Sequence, residues 1–135
     1  MKEIFADTFY FLALLSPSDA AYERARAITA GQPSRLVTTA WVLTELANGL
    51  SKREMRAGFL NTFDALQSHP AATICEPDRR LYDAGIELYR ARPDKDWSLT
   101  DCISFVVMHD RGINDALTGD HHFEQAGFRA LLRAE

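Results

Sequence analysis

Short apolar runs alternate along this chain with longer stretches in which apolar residues recur every three to four positions. The first run, Glu3–Ala6, carries Ile4, Phe5 and Ala6 in succession and stops at Asp7-Thr8, which predicts a buried strand with Asp7 at its C-terminal end. Phe9–Leu15 begins a helix or helical turn that Ser16-Pro17-Ser18-Asp19 stops. The same group opens a second helix, Ala20–Ala30, which Gly31 ends and which packs through Tyr22, Ala25, Ala27 and Ile28. Ser34–Thr38 is the second strand, with Leu36 and Val37 at its centre. Thr38 or Thr39 caps the helix Ala40–Gly49, whose core stripe is Val42, Leu43, Leu46 and Leu50 while Trp41, Glu45 and Asn48 share another face. After a break at Gly49 a helix over Lys52–Ser68 runs to His69-Pro70.

Ala72–Cys75 is a third strand. Pro77-Asp78 opens the helix Arg79–Ala91, with Leu81, Ala84, Ile86, Leu88 and Tyr89 as its apolar residues. The loop Arg92–Asp96 leads to a helix opening at Ser98, a turn at Arg111-Gly112, a strand Asp115–Leu117, a loop Thr118-Gly119-Asp120, and a short strand or helix near Phe128–Leu132. No internal repeat or low-complexity segment interrupts the pattern. Strands alternating with helices of crossover length predict a three-layer α/β/α fold around a central, mostly parallel sheet of four or five strands. At 135 residues the chain is expected to form a single domain spanning 1–135.

The charge balance narrows the function classes. Nineteen acids against fifteen Lys and Arg leave a net charge of −4, which argues against a nucleic-acid-coating protein, since such proteins are basic. It leaves room for an enzyme that meets nucleic acid through metal ions held on carboxylates. Cys75 and Cys102 are isolated in apolar sequence without metal-ligand spacing, which fits a reducing compartment. The apolar run Phe9–Leu15 is too short to span a bilayer, and Glu3 and Asp7 interrupt its approach, so the expected location is cytoplasmic, with no membrane partner.

Four acids are the candidate chemistry. Asp7 ends the first strand and Asp120 follows a late one, so both emerge at the carboxyl edge of the sheet, where parallel α/β folds place ligands. Helices entered from that edge start there too, which brings in Asp101 and Glu45. Each acid also has an ordinary structural use: Ser98-Leu99-Thr100-Asp101 fits a helix capping box, Asp7 and Asp120 fit N-caps, and Glu45 fits the wet side of an amphipathic helix. One cap needs only one acid, however. Four gathered carboxylates repel and raise one another's pKa values unless a cation neutralises them.

The order Asp7-Thr8, Glu45 on a helix, Ser98-Leu99-Thr100-Asp101 and Thr118-Gly119-Asp120-His121-His122-Phe123 resembles the PIN-domain family, and within it the toxins of the VapC type. The likeness covers nearly the whole chain, and the Ser-Leu-Thr-Asp and Thr-x-Asp-x-x-Phe segments are its most specific parts. The resemblance implies that Asp7, Glu45, Asp101 and Asp120 bind Mg²⁺ or Mn²⁺. It further implies that Thr118 braces the site, that Thr8 is the small hydroxyl residue common after the first acid, and that Asp96 matches an additional acid of some members. Oxygen-only ligands suit those hard ions. The implied reaction is hydrolysis of an RNA phosphodiester that leaves a 5′-phosphate and a 3′-hydroxyl. The implied partners are RNA, a second copy of the chain in a homodimer, and a cognate antitoxin.

Lys52, Arg53 and Arg56 cluster after the Glu45 helix, either as a solvated helix face or as contacts to RNA phosphates. His109 reads as a packed or partly exposed histidine, and His121 and His122 as residues near enough to touch substrate. Zinc would be the preferred ion if the histidines were ligands. Trp41 and Trp97 read as core or interface residues. An aspartyl phosphatase of the haloacid-dehalogenase type would need a second Asp where this chain has Phe9, and a receiver domain would need a late lysine, whereas none follows Lys95. Two alternatives stand beside the toxin reading: a freestanding RNA-processing nuclease, and a catalytically silent binding module.

Overall fold

The computed structural model describes residues 1–31 and 33–133. Five strands, β1 (Glu3–Ala6), β2 (Arg35–Thr39), β3 (Ala72–Cys75), β4 (Asp115–Leu117) and β5 (Arg129–Ala130), form one sheet in the order β3-β2-β1-β4-β5. Every pairing in it is parallel, so the expected three-layer α/β class holds with five strands. The helices are α1 (Thr8–Leu14), α2 (Tyr22–Ala30), α3 (Ala40–Gly49), α4 (Arg56–Ser68), α5 (Arg79–Ala91), α6 (Leu99–Arg111) and α7 (His121–Gln125), with a 3-10 turn at Arg53–Met55 ahead of α4. None is long and apolar enough to cross a membrane among the described residues.

Consecutive strand residues point to opposite faces, so a run of buried neighbours means that both faces are covered. Val37, Thr38 and Thr39 are all buried, as are Asp115, Ala116 and Leu117. The chain lays β2 and then β3 on one side of β1, and returns to place β4 and β5 on the other. The strand order therefore reverses between β1 and β4, where Ala6 pairs with Leu117. In parallel α/β folds such a reversal is where ligands are placed, at the carboxyl ends of the two strands. Thr38 stiffens the same edge by donating its buried hydroxyl to the Ala6 carbonyl at 2.8 Å.

Several boundaries differ from the sequence reading for local reasons. Helix α1 starts at Thr8, one residue early. Helix α2 starts at Tyr22 rather than Ala20, because Asp19 holds Ser16–Tyr22 in turns: its carboxylate accepts the Ala21 N–H at 2.8 Å and its carbonyl the Tyr22 N–H at 3.0 Å. Strand β2 starts and ends one residue later than expected, and of the two expected caps Thr39 takes the place, accepting the Val42 N–H at 3.1 Å. The expected Lys52–Ser68 helix opens as the 3-10 turn. The segment near Phe128–Leu132 is a strand of two residues. Ala27 is exposed and Tyr89 is 54 % exposed, so neither packs as helical spacing predicted.

An aromatic cluster holds the late elements onto β1. Phe123 of α7 is fully buried, 6.3 Å from Phe5 of β1 and 4.9 Å from Phe105 of α6, ring centre to ring centre. Trp97 stands edge-on to Phe105 at 5.0 Å. Helices α5 and α6 meet at Gly85, where a Cβ would lie 2.3 Å from Cγ1 of the fully buried Ile103. A methyl group cannot enter there without displacing Ile103.

Gly85→Ala is therefore expected to destabilise the fold by about 1–3 kcal/mol despite the better helix propensity of alanine. Gly49→Ala, at a helical position with nothing within 4 Å of the added carbon, should be neutral or stabilising by up to about 1 kcal/mol. Urea unfolding of the two variants checks the opposite signs.

Candidate active site

Just past the β1–β4 reversal, Asp7 is only 5 % exposed and Thr118 is fully buried. The Thr118 hydroxyl donates to Asp7 Oδ2 at 2.8 Å and accepts the Asp120 N–H at 3.0 Å. One side chain thereby sets the position of the first acid and the backbone of the last. The Asp7 N–H also continues the sheet by donating to the Leu117 carbonyl at 3.3 Å. Asp7 occupies the N-cap position of α1, yet its side chain makes no capping bond. Its use as a cap is thus not realised, and its carboxylate is held by Thr118 within range of the charges of Asp101 and Glu45.

The other three acids reach the same place by different routes. Asp101 is in the first turn of α6 and does form the capping box: Asp101 Oδ2 accepts the Ser98 N–H at 3.2 Å, and Ser98 Oγ accepts the Asp101 N–H at 3.0 Å. Asp120 is also a true N-cap, with Oδ1 accepting the His122 N–H at 2.9 Å. Glu45 lies in the second turn of α3 and is exposed, but its Oε1 accepts the Thr8 hydroxyl at 2.5 Å. Thr8 directly follows Asp7, so this bond leans the Glu45 carboxylate toward it.

Electrostatics link the four in series. Burial is the main cause that pushes the Asp7 carboxyl up to about 7, with the charges of Asp101 and Glu45 adding to the rise and the Thr118 bond opposing it. Burial also raises Asp101, and the charge of Asp120 raises it further, against the Ser98 and His122 hydrogen bonds. Glu45, Asp7, Asp101 and Asp120 therefore form one repelling group. Carboxylate oxygens are the donor type that suits a hard divalent cation, although among the described residues no three of these four acids bring oxygens within 4.8 Å of one another.

The sequence reading takes His121 and His122 as near enough to touch substrate but does not foresee the bonds of His122 to the acids. His122 Nδ1 sits 3.2 Å from Asp101 Oδ2 and 3.3 Å from Asp120 Oδ1, bridging the two. His121 Nδ1 is 3.6 Å from the same Asp120 oxygen, and donor atoms of Asp120, His121 and His122 lie within 4.8 Å of one another. The sequence signal goes no further than nearness to Asp120 in the chain. The remaining candidates stand apart. Asp96 is exposed in the loop before α6. Lys52, Arg53 and Arg56 are exposed at the 3-10 turn and the start of α4, and Arg56 donates to the Ser51 carbonyl at 3.2 Å. His109 is exposed, Trp97 is buried, and Trp41 packs half-buried against the core.

Gly119 lets this loop close. A Cβ there would lie 2.4–2.8 Å from the Phe9 ring, so the chain between Thr118 and Asp120 passes directly over that aromatic.

Comparison with known proteins places the site in context. Residues 4–129 match the PIN domain family. The chain is 29 % identical over 126 residues to the 23S rRNA-specific endonuclease VapC20 of Mycobacterium tuberculosis, in two strains, covering 93 % of this chain and 95 % of the relative. The crystal structure of M. tuberculosis VapC20, a sarcin-ricin loop cleaving toxin, superposes with a TM-score of 0.83 at 26 % identity, over 93 % of this chain and 95 % of that one. FitAcB from Neisseria gonorrhoeae shares the fold, with a TM-score of 0.70 at 16 % identity over 94 % of this chain and 95 % of its own.

The raised Asp7 pKa fixes a sign. Relative to an ordinary 3.8, a folded value of about 7 means that the native state holds the Asp7 proton more tightly than the unfolded state between those values. In metal-free buffer, stability should therefore fall as pH rises from about 4 to about 7, by an amount on the order of 4 kcal/mol from this residue, and then level off. Asp7→Asn keeps an oxygen for the Thr118 hydroxyl and removes the titration, so its profile should be flatter and its stability higher at about pH 8. Urea unfolding in EDTA across this range is the measurement, and parallel profiles would refute the assignment.

Proposed function

The chain belongs to the PIN-domain family, and from that premise we propose that it is a divalent-metal-dependent ribonuclease, the toxin of a toxin–antitoxin pair. Residues 1–135 would act as one nuclease domain. The observation that carries the reading is the buried Asp7 carboxylate, braced by Thr118 within a chain of four mutually repelling acids. A passive fold gains nothing from such repulsion. The likeness to a 23S rRNA-specific endonuclease over nearly the whole chain supports RNA as the substrate class.

In this reading Asp7, Glu45, Asp101 and Asp120 hold Mg²⁺ or Mn²⁺. When bound, such an ion lowers the pKa of a coordinated water and polarises the phosphoryl group. The protein's own part is positional. Thr118 fixes Asp7 through its Oδ2, while the Thr8 hydroxyl holds Glu45 toward Asp7. Asp101 and Asp120 each use one oxygen for a cap, which fixes the carboxylate plane and leaves a second oxygen for the ion. His122 bridges those two acids at the rim, within reach of an incoming phosphate. Asp96 is a supporting acid on the approach. Lys52, Arg53 and Arg56 contact RNA phosphates farther out.

The same reading takes the chain as a cytoplasmic homodimer whose antitoxin silences it by setting an arginine against the acids, a charge-assisted pairing. Expression together with the neighbouring reading frame should yield a complex with suppressed cleavage. A protein that is freely active and has no such partner would be an RNA-processing nuclease instead.

Mg²⁺ or Mn²⁺ should raise the thermal midpoint of the wild-type protein by preferential binding to the native state. Asp101→Asn keeps a carbonyl for the Ser98 N–H, so the capping box survives while a charge is removed. Its response to metal should shrink and its cleavage of cellular RNA should fall by at least about a hundred-fold. Calorimetry and a cleavage assay with Mg²⁺, Mn²⁺ or EDTA test both. Equal metal stabilisation in the two proteins would refute the ion site, and cleavage in EDTA would refute the mechanism.

A further inference from the structure

Beside the acids, the C-terminal end of α5 and the loop into α6 enclose a cleft of about 750 Å³. That is within the roughly 300–1,000 Å³ of typical ligand sites. We propose that this cleft holds the single-stranded RNA segment flanking the scissile phosphate, with the Tyr89 ring stacked on a base and Arg90 and Lys95 on phosphates. The proposal rests on the ribonuclease reading and adds to it a path for the strand.

Four observations carry it. First, the cleft is lined by three cations, Arg90, Arg92 and Lys95, against one acid, Asp96, in a chain whose net charge is −4. Second, two of those cations are loosely engaged. Arg90 is 3.7 Å from Glu87 with both side chains exposed, and Lys95 is 4.0 Å from Asp94. Surface pairs of this kind contribute little, so exchanging them for a phosphate costs little.

Third, the cleft has a rigid aromatic wall and an exposed ring. The Trp97 indole N–H donates to Gln125 Oε1 at 3.0 Å, and the Arg92 guanidinium lies 5.1 Å from the Trp97 ring centre. Arg92 is itself locked on Asp94 by two bonds of 2.9 and 3.0 Å, which leaves it a wall rather than a free charge. Tyr89 is more than half exposed although it sits at a position where helical spacing predicts packing. Its open face suits an unstacked base, and base–aromatic stacking is how single strands are held without regard to sequence. Duplex RNA hides those faces.

Fourth, the cleft is linked to the acid group through one residue, Ser98. Ser98 lines it, and both the N–H and the Oγ of Ser98 are bonded to Asp101. A strand lying in the cleft therefore passes one residue away from Asp101.

The test uses the intact protein in EDTA, with binding of a single-stranded oligoribonucleotide of roughly 12 nucleotides followed by tryptophan fluorescence. Trp97 should report directly. Tyr89→Ala should raise Kd by roughly 5- to 100-fold, while Tyr89→Phe, which keeps the ring, should bind as wild type. Arg90→Gln with Lys95→Gln should flatten the dependence of log K on log salt by about 0.7 for each phosphate that is no longer neutralised. All of these alter groups outside the core, and circular dichroism verifies that the variants fold. In cleavage with metal, Tyr89→Ala should raise KM and leave kcat unchanged.

RNA binding and cleavage that are insensitive to every one of these variants overturn the cleft assignment and leave the ribonuclease reading standing. Binding that depends on the cleft, without cleavage under any divalent ion, supports the cleft and refutes the reading. Displacement of RNA by a polyglutamate peptide that is indifferent to Tyr89→Ala would assign the cations to an acidic protein segment and overturn the proposal.

Discussion

The Thr118 hydroxyl bonded to Asp7 Oδ2 is the constraint on which the rest of this molecule turns. It joins the ends of two strands that are neighbours in the sheet but lie 111 residues apart in the chain. A carboxylate buried to this degree needs a donor, and the Thr118 side chain supplies it. The same hydroxyl accepts the Asp120 N–H, so the loop that carries the last acid is positioned by the bond that satisfies the first. Sheet topology and site geometry are consequently inseparable. Moving β4 by one residue would remove both partners at once, because a register slip turns every side chain to the opposite face.

Around this bond the acids do two jobs each. Asp101 closes a capping box and Asp120 caps α7, so each contributes roughly 1 kcal/mol to helix stability while standing in a group that repels itself. The geometry reconciles the two roles. A cap uses one carboxylate oxygen and a helix N-terminus favours negative charge, so the helices that bring Asp101 and Asp120 to the carboxyl edge of the sheet also offset part of the cost of gathering them. The apolar side supplies the remainder. Phe123, just past the Thr118 loop, is locked between Phe5 and Phe105, so the loop is anchored by packing on one side and by the threonine on the other.

Much of this was legible in the sequence because period and punctuation agreed. Helices α3 and α5 and strands β3 and β4 match their expected bounds, each flanked by a cap, a glycine or a proline. Where local hydrogen bonding competed, the bounds moved: Asp19 held Ser16–Tyr22 in turns and delayed α2. Helical spacing misplaced Ala27 and Tyr89, because periodicity ranks faces but does not say how wide a stripe the neighbours cover. The clustering of Asp7, Asp101 and Asp120 followed from strand ends and helix starts. Glu45 did not follow so simply, since it is in the second turn of α3 and is drawn in by Thr8, a contact between residues 37 apart. His122 was harder still. Its bridge depends on the side-chain direction of a helix of five residues, which no spacing rule encodes.

The two edges of the sheet show that this arrangement is specific to the carboxyl end. Asp115 opens β4 and is as buried as Asp7, with 5 % of each exposed. Yet Asp115 accepts from Lys2 at 2.5 Å and from Arg129 at 3.2 Å, and beside it Arg111 grips Glu3 at 2.8 and 3.1 Å. At that edge every acid named has a cation of its own. At the opposite edge, a few residues along the same strands, the acids are given hydroxyls, backbone N–H groups and a histidine. The chain thus has cations available and places them where charge must only be neutralised. Hydroxyl and amide donors orient a carboxylate without cancelling its charge, so among the described residues the acids at the β1–β4 end are held in place by groups that leave their mutual repulsion standing.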